Sequence, residues 1–500
     1  MESSHPPTAS FTNPCELVRK TCRKWMEEEE GAIIIDDDDN NDDDNDNDND
    51  NNDDDDDERR YWFQQQEHSS SSTSSSSSSV IDYHRHSHRR SVLIRYDKLP
   101  ALANEILMQR QQTTTAATTA ETTTATTTTT NVSSKEEEWI EWDTEGWHYN
   151  GSGFNGTEDE RRERVALYLL ALDAINFCFW PLSEEKDQDD DDENKTTITT
   201  TATKNINSNN SINLLEYDHL AMALKKMAEA DHVVSKSDDN EKNKKEQTNE
   251  YAFSPSNLAT MTAEKMRNLL RPYLDEKKYP LPNIQKRAQL WKEVGEGIIR
   301  DYNGMVLNLL NCASQDASRL VELIVTSFPG FRDEVYIAPS SSSPPSQQQQ
   351  QQQQQRLVFL KRAQIFVGDI NAALRLQLNG MERLTTFADY RVPQVLRHWK
   401  ILVYSPLLSD KVDNYIEIKK DSYEEISIRA ATIIVVEELV KLLNRNNSSN
   451  DNDGINTTAN NNEQCKYTDV TVDWYLWQVG ERMHQEGIMK PFHKVRTYFY

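Results

Sequence analysis

The sequence predicts a mostly α protein: a single helical domain with a minor β element, interrupted by low-complexity inserts. Three observations carry this. Apolar residues recur at helical spacing along several segments, most regularly Val165, Leu169, Leu172, Ile175 and Phe179. Strand-like stretches are few and short, and no unit of roughly 20–50 residues repeats, which argues against a solenoid. Tracts at 34–83, 109–135, 183–210, 235–249, 340–355 and 444–464 are dominated by Asp and Asn, Ser, Thr or Gln. Such tracts cannot bury enough apolar surface to offset the entropy of ordering, so they are expected to be disordered. Setting them aside leaves on the order of 300 residues, one large domain running over 13–500.

The inserts also hold most of the charge. Of the formal net charge of −28, Asp36–Glu58 supplies about −16 and Glu184–Lys195 about −6, leaving about −6 elsewhere. A mildly acidic fold lacks the broad basic face of a nucleic-acid binder. The run His84-Arg85-His86-Ser87-His88-Arg89-Arg90 reads as a solvated patch rather than a groove. Five scattered cysteines (Cys15, Cys22, Cys178, Cys312, Cys465) form no CxxC pair, against both a zinc site and a disulfide framework. No secretory signal is visible at Met1–Pro7, and no apolar run approaches the ~20 residues of a membrane helix. The expectation is a reduced, cytoplasmic protein.

In order along the chain, Asn13 caps a helix with Pro14 in its first turn, ending near Trp25. Ser91–Pro100 reads as a short extended segment leading into a helix over Ala101–Met108. Trp139, Trp142 and Trp147 read as surface aromatics packing on the core. Arg164–Phe179 forms a strongly periodic helix that Pro181 stops. Leu220–Ala230, a helix opening near Thr260, Ile284–Asn303, Met305–Leu310 and Ser314–Thr326 continue the helical pattern. Phe331–Ile337 and Leu357–Leu360 pair as a hairpin across the Gln-rich insert. Helices over Lys361–Leu374, Glu424–Leu443 and Val472–His484 follow, the last opened by Asp473. The tail Pro491–Tyr498 alternates basic with apolar residues, as a strand does.

There is no GxGxxG, P-loop, HExxH or GxSxG, which weakens nucleotide-cofactor, metalloprotease and serine-hydrolase readings. What remains is carboxylates embedded in apolar helices: Asp369, Asp389 and Asp473. A lone buried Asp is usually a cap or an Arg partner. Three in one helical domain, each beside aromatics, suit recognition of a flat heterocycle, since aromatics stack it and carboxylates accept from its N–H groups. The stretch Thr385–Gln394 places an acid, a phenol, a guanidinium and an amide within six residues, stiffened by Pro393. It reads either as a rigid turn holding substrate or as an ordinary capped helix start. Asn176, among aromatics, is either a buried amide satisfied by backbone or a ligand reader.

Seven segments in order carry a resemblance: Asn176-Phe177-Cys178-Phe179-Trp180, Phe331-Arg332-Asp333, Lys361 to Asp369, Thr385 to Gln394, Ile428-Arg429-Ala430, Asp473 to Trp477, and Pro491 to Arg496. Together the chain resembles the queuosine salvage proteins, the family of queuosine 5′-phosphate N-glycosylases. Gly368 stands where that family more often has Ala, and Cys178 where it often has Ser. The resemblance implies a helical fold similar to the DNA glycosylases. It implies hydrolysis of queuosine 5′-monophosphate to queuine and ribose 5-phosphate, so that the base can return to tRNA. By the family pattern Asp389 is the catalytic carboxylate and Lys361 a required cation. Asn176, Phe177, Trp180, Asp369, Tyr390 and Asp473 would bind substrate; apart from the family pattern, the 5′-phosphate is assigned here to Arg391 or the basic tail, since a phosphate wants Lys or Arg.

The chemistry is consistent. N-glycosidic cleavage passes through a ribosyl cation, which an ionised carboxylate stabilises while orienting or deprotonating water. A 7-deazaguanine has no N7 to protonate, so its departure needs donors elsewhere on the ring. The scheme requires no metal or other cofactor, and its partner is a small molecule rather than nucleic acid or membrane. The competing reading is a non-catalytic queuine- or tRNA-binding protein. The tRNA form would need a basic face, and the queuine carrier would not need Asp389.

Overall fold

In the computed structural model the Asn13 side chain accepts from the Cys15 N–H at 3.0 Å and caps α1 (Pro14–Glu28). The structure describes residues 13–28, 61, 91–110, 142–143, 146–149, 154, 156–180, 215–230, 251–337, 355–450 (main chain only over 446–450) and 467–500. The expected inserts at 34–83, 109–135, 183–210, 235–249, 340–355 and 444–464 lie largely outside these residues, as do Trp139, the basic run 84–90 and Cys465. At their edges, 109–110 end a helix, Gln355 opens a strand and 444–450 prolong a helix.

After α1 come β1 (Val92–Ile94) and α2 (99–110). A capping box at Thr157 and Glu160 opens α3 (Glu158–Ala174). Next are α4 (Tyr217–Ala230), α5 (Pro255–Ala259), α6 (Ala263–Leu270), α7 (Ile284–Tyr302), α8 (Val306–Cys312) and α9 (Ala317–Ser327). Ser254, Thr262 and Asp316 cap α5, α6 and α9 with their side chains. Strands β2 (Glu334–Ile337) and β3 (Gln355–Val358) precede α10 (Lys361–Leu374). The chain closes with α11 (Arg391–His398), β4 (Leu402–Tyr404), α12 (Pro406–Asp413), α13 (Tyr423–Asn450) and α14 (Asp469–Gln485).

The fold is mostly helical, as expected. Its described strands form two antiparallel pairs. The expected hairpin is β2–β3, with Glu334 opposite Val358 and Ile337 opposite Gln355. The other is β1–β4, with Val92 opposite Tyr404. The core centres on α3, α10 and α13, each buried all round over 165–174, 361–370 and 425–436. α3 packs on α10, α1 on α13, α11 on α14, and α5 on α7. At the last contact a Cβ on Gly295 would lie 2.2 Å from the Ala259 nitrogen, so only glycine lets α5 lie directly on α7. No helix among the described residues is long and apolar enough to cross a membrane.

Three local expectations are corrected. The periodic helix over 164–179 stops at Ala174, and 175–180 leave helical geometry with Cys178 at φ 39°. The stop comes well before Pro181 because buried arginines take the terminal carbonyls. Arg362 donates to Ala174 O and Arg287 to Ile175 O, and Arg287 also reaches Phe177 O at 2.6 Å and Cys178 O at 2.9 Å. α14 is opened by Thr468 rather than Asp473, with the Thr468 and Thr471 side chains bonding each other's N–H. The tail 491–498 is not a strand; Val495 makes a lone bridge to Ile418.

Candidate active site

A cavity of about 1070 Å³, its open mouth included, lies between α10, α14, the start of α4, the stretch before α11, Asn176 just past α3, and residues 142–143 and 147–148. Its charged wall is held from behind by one buried ion pair. Arg429 on α13 grips Asp333 through two hydrogen bonds, at 2.9 and 2.6 Å, and donates to Ala388 O at 3.1 Å. The Asp333 carboxylate also accepts from the Lys361 N–H at 3.2 Å, which anchors the start of α10. Removing one partner of a pair this deeply buried costs about 3–5 kcal/mol, because the other charge is left uncompensated.

Asp389 precedes α11 and caps it: Oδ1 accepts from the N–H groups of Arg391 at 2.9 Å and Val392 at 3.1 Å. The carboxyl is 7 % exposed and lines the cavity. Burial raises its pKa, while Lys361 and the two N–H donors favour the ionised form. This stretch is thus a capped helix start whose carboxylate also lines the cavity. Lys361, the first residue of α10, donates from Nζ to Asn176 O at 3.3 Å. Burial lowers its pKa to about 8, against the pull of Asp389.

Asp473 on α14 ties this wall together. It accepts from the Thr386 hydroxyl and, at 2.7 Å, from the Phe387 N–H. Burial and then Asp389 push its pKa well above its usual value, opposed by the Thr386 and Phe387 hydrogen bonds and by Lys361. Asp173, at the end of α3, is fully buried with neither oxygen hydrogen-bonded among the described residues. Burial and Asp369 likewise raise its pKa, with Lys361 opposing.

The second wall is aromatic. Trp142 donates to Asp369 Oδ1 at 2.9 Å and stacks on the His148 ring at 5.2 Å. His148 Nδ1 lies 2.8 Å from Asp143 Oδ1, and Nε2 lies 2.6 Å from the Tyr217 hydroxyl. Asp143 also accepts from the N–H groups of His148 and Tyr149, at 2.9 and 2.8 Å. Burial alone would raise the Asp143 pKa, but these bonds outweigh it and hold it low. Trp477 meets Tyr217 and Trp147 edge-on at 5.6 and 5.5 Å. Asp369 is pushed up to about 6 by burial, opposed by His148 and Trp142.

Of the residues expected at the site, Asp389, Lys361, Asn176, Asp369, Tyr390 and Asp473 line one cavity. Phe177, Trp180 and Arg391 stand behind its lining. Phe177 lies beneath two guanidiniums, with Arg287 at 4.3 Å and Arg362 at 5.5 Å from its ring. Trp180 packs edge-on against Tyr390 at 5.7 Å. Arg391 is paired with Glu481 at 2.8 Å and bonded to Gln394 at 2.6 Å. In the tail, Arg496 is paired with Glu417 at 3.2 Å, Lys494 lies over the Tyr415 and Phe492 rings, and His493 is buried. The sequence reading missed Asp143, His148 and Tyr217, and it set Trp142 and Trp147 aside as surface aromatics packing on the core, whereas both line the cavity. The crowding of tryptophans beside acids was the available signal.

Fold and cavity define a helical protein with a buried carboxylate–lysine cluster facing an aromatic box. The family model described as queuosine salvage protein matches residues 156–500, and the chain belongs to that family. A relative from Dictyostelium discoideum is 29 % identical over 363 residues, covering 72 % of this chain and 85 % of its own length. One from Sphaerobacter thermophilus is 29 % identical over 343 residues, 68 % of this chain and 82 % of the relative. One from Bos taurus is 30 % identical over 256 residues, 49 % of this chain and 66 % of the relative. All three are named queuosine 5′-phosphate N-glycosylase/hydrolase.

Proposed function

We propose that this chain hydrolyses the N-glycosidic bond of queuosine 5′-monophosphate, releasing queuine for salvage into tRNA. The relatives' names support the reaction class, and one observation carries it to this chain. Asp389, pinned by two backbone N–H groups with Lys361 as its main countercharge, lines a cavity that also offers aromatic faces and further acids.

In this reading Asp389 stabilises the ribosyl cation and takes a proton from the attacking water. Lys361 keeps Asp389 ionised against its burial. Asp369, ionised above about pH 6, accepts the cationic amine of the cyclopentenediol arm. Asp473 and the Asn176 amide contact the base, and Tyr390 flanks the sugar. Arg482, an exposed guanidinium lining the mouth, replaces Arg391 and the tail as the cation assigned to the 5′-phosphate. The substrate is the free nucleotide rather than tRNA, in keeping with the absence of a broad basic face in the sequence outside the inserts. Unpaired Cys15, Cys22, Cys178 and Cys312 support a reducing compartment such as the cytoplasm.

The test is to incubate the purified protein with queuosine 5′-monophosphate and with the free nucleoside, and to assay released queuine by mass. Release is expected, faster from the nucleotide. Tight binding of queuine without release from either would replace the enzyme with a carrier.

A further inference from the structure

The hydrogen-bonded chain Asp143–His148–Tyr217 is not used by the scheme above, yet all three residues line the same cavity as Asp389. The chain is built with care. The Asp143 carboxylate is fixed by two backbone N–H groups as well as by the His148 ring, so it orients the imidazole through Nδ1. Trp142 stacks on one side of that ring, and the Tyr168 hydroxyl donates to the His148 carbonyl at 3.4 Å. At the far end the Tyr217 ring is held edge-on by Trp477 and Phe179, at 5.6 and 5.9 Å. A buried phenol needs a hydrogen-bond partner, but it does not need an oriented acid–imidazole pair behind it. Such a chain is how a proton is delivered from a fixed direction.

We propose that Tyr217 is the proton donor to the departing base, with His148 and Asp143 as positioning residues behind it. This rests on the glycosylase reading. When Nε2 of His148 bears a proton it donates to the Tyr217 oxygen, which frees the phenolic proton to point into the cavity. As the C1′–N9 bond breaks, its electron pair passes to the base. The phenolic proton moves to an acceptor on the pyrimidine ring (N3 or O6), and Tyr217 recovers a proton from His148 Nε2. Water adds to C1′ and gives its proton to Asp389. The products are neutral base and ribose 5-phosphate. Asp389 holds one proton more and His148 one fewer, and exchange with solvent resets both. The arrangement supplies what the departure of a 7-deaza base needs, a proton donor for a ring position other than N7.

The experiment compares two substrates on wild type, Tyr217→Phe, His148→Gln, Asp389→Asn and Asp473→Asn. One is queuosine 5′-monophosphate. The other is the 5-phosphate of p-nitrophenyl riboside, whose nitrophenolate leaves without being protonated. Tyr217→Phe is expected to lower kcat on the nucleotide about 10²-fold or more and on the nitrophenyl substrate by no more than about threefold. His148→Gln should show the same selectivity at smaller size, and Asp389→Asn should lose both substrates. Equal losses of Tyr217→Phe on the two substrates would reduce the chain to pocket structure and overturn the proposal. So would a selective loss that appears in Asp473→Asn and not in Tyr217→Phe. Thermal melting of each variant separates misfolding from chemistry. Failure of the glycosylase reading looks different: wild type then releases neither queuine nor nitrophenol.

Discussion

The two walls of the cavity are built on opposite principles. On the charged wall, side chains are tied to main chain: Asp389 to the N–H groups of Arg391 and Val392, Asp473 to that of Phe387, Lys361 to Asn176 O. Arg429 and Asp333 lock that main chain from behind. On the aromatic wall most key bonds run side chain to side chain, from Trp142 to Asp369 and from Asp143 through His148 to Tyr217. The first wall holds charge where water is excluded, which demands a stiff frame because misplaced charge is costly in a low dielectric. The second presents flat faces and movable protons, for which packed rings suffice. Placement of charge and handling of the base are thus separable by mutation.

The largest effect should come from Asp389→Asn. Asn caps helices about as well as Asp, so the variant should melt like wild type. It has no anionic oxygen for the ribosyl cation, and turnover should fall about 10³-fold or more in the queuine-release assay. If folding fails instead, the charged wall is scaffold first and catalyst second. Lys361→Met should follow, with about a 10²-fold loss. Because burial puts the Lys361 pKa at about 8, wild-type activity should decline as pH rises through 8, and a pH–rate profile of the Met variant should lack that limb.

Asp369→Asn probes the aromatic wall. Its carboxyl is raised from 3.8 to about 6, so between those values the folded state binds more protons than the unfolded state. Stability therefore falls as pH rises through that window, and the penalty is complete above about 6. Melting should show Asp369→Asn stabilised at pH 7.5 but not at pH 4, with KM for the nucleotide raised. Arg482→Gln should raise KM for the nucleotide roughly tenfold and leave that for the nucleoside unchanged, since the loss is one charge-assisted contact. Equal effects on both would detach Arg482 from the phosphate.

The smallest effect belongs to Gly368→Ala on α10. A Cβ there would meet Phe387 at 3.3 Å, so that ring must give slightly, while Trp474 at 3.5 Å is an ordinary contact. The gain in helix propensity, up to ~1 kcal/mol, offsets this, and melting should move by no more than a few degrees. A large loss of activity with unchanged melting would mean that those two rings are set for the base to within a few tenths of an ångström.

Much of this was legible beforehand. Helical periodicity marked α3, α7, α10 and α13, and the hairpin β2–β3 was visible across its insert. Lys361 and the stretch 385–390 fell on the charged wall and Asp369 on the aromatic one, and each motif was visible because the local order of a contiguous segment survives in the sequence. Phe177 and Trp180, from the motif at 176–180, and Arg391, from that at 385–394, do not line the cavity. A motif records which residues are near, not which way each faces.

What the sequence determined by itself is the division between foldable helices and biased tracts, and the acids buried within apolar helices. Composition and period set these, because burial and entropy act residue by residue. Tertiary structure alone decided that Asp143 and His148, on a short aromatic segment, meet Tyr217 from α4, and that Trp142 reaches Asp369 on α10. It also decided where α3 ends, since the carbonyls there are taken by Arg287 and Arg362 from distant helices. Hydrogen bonds between groups 69, 112, 188 and 227 residues apart leave no periodic trace, because their partners are selected by packing and not by neighbourhood in the chain.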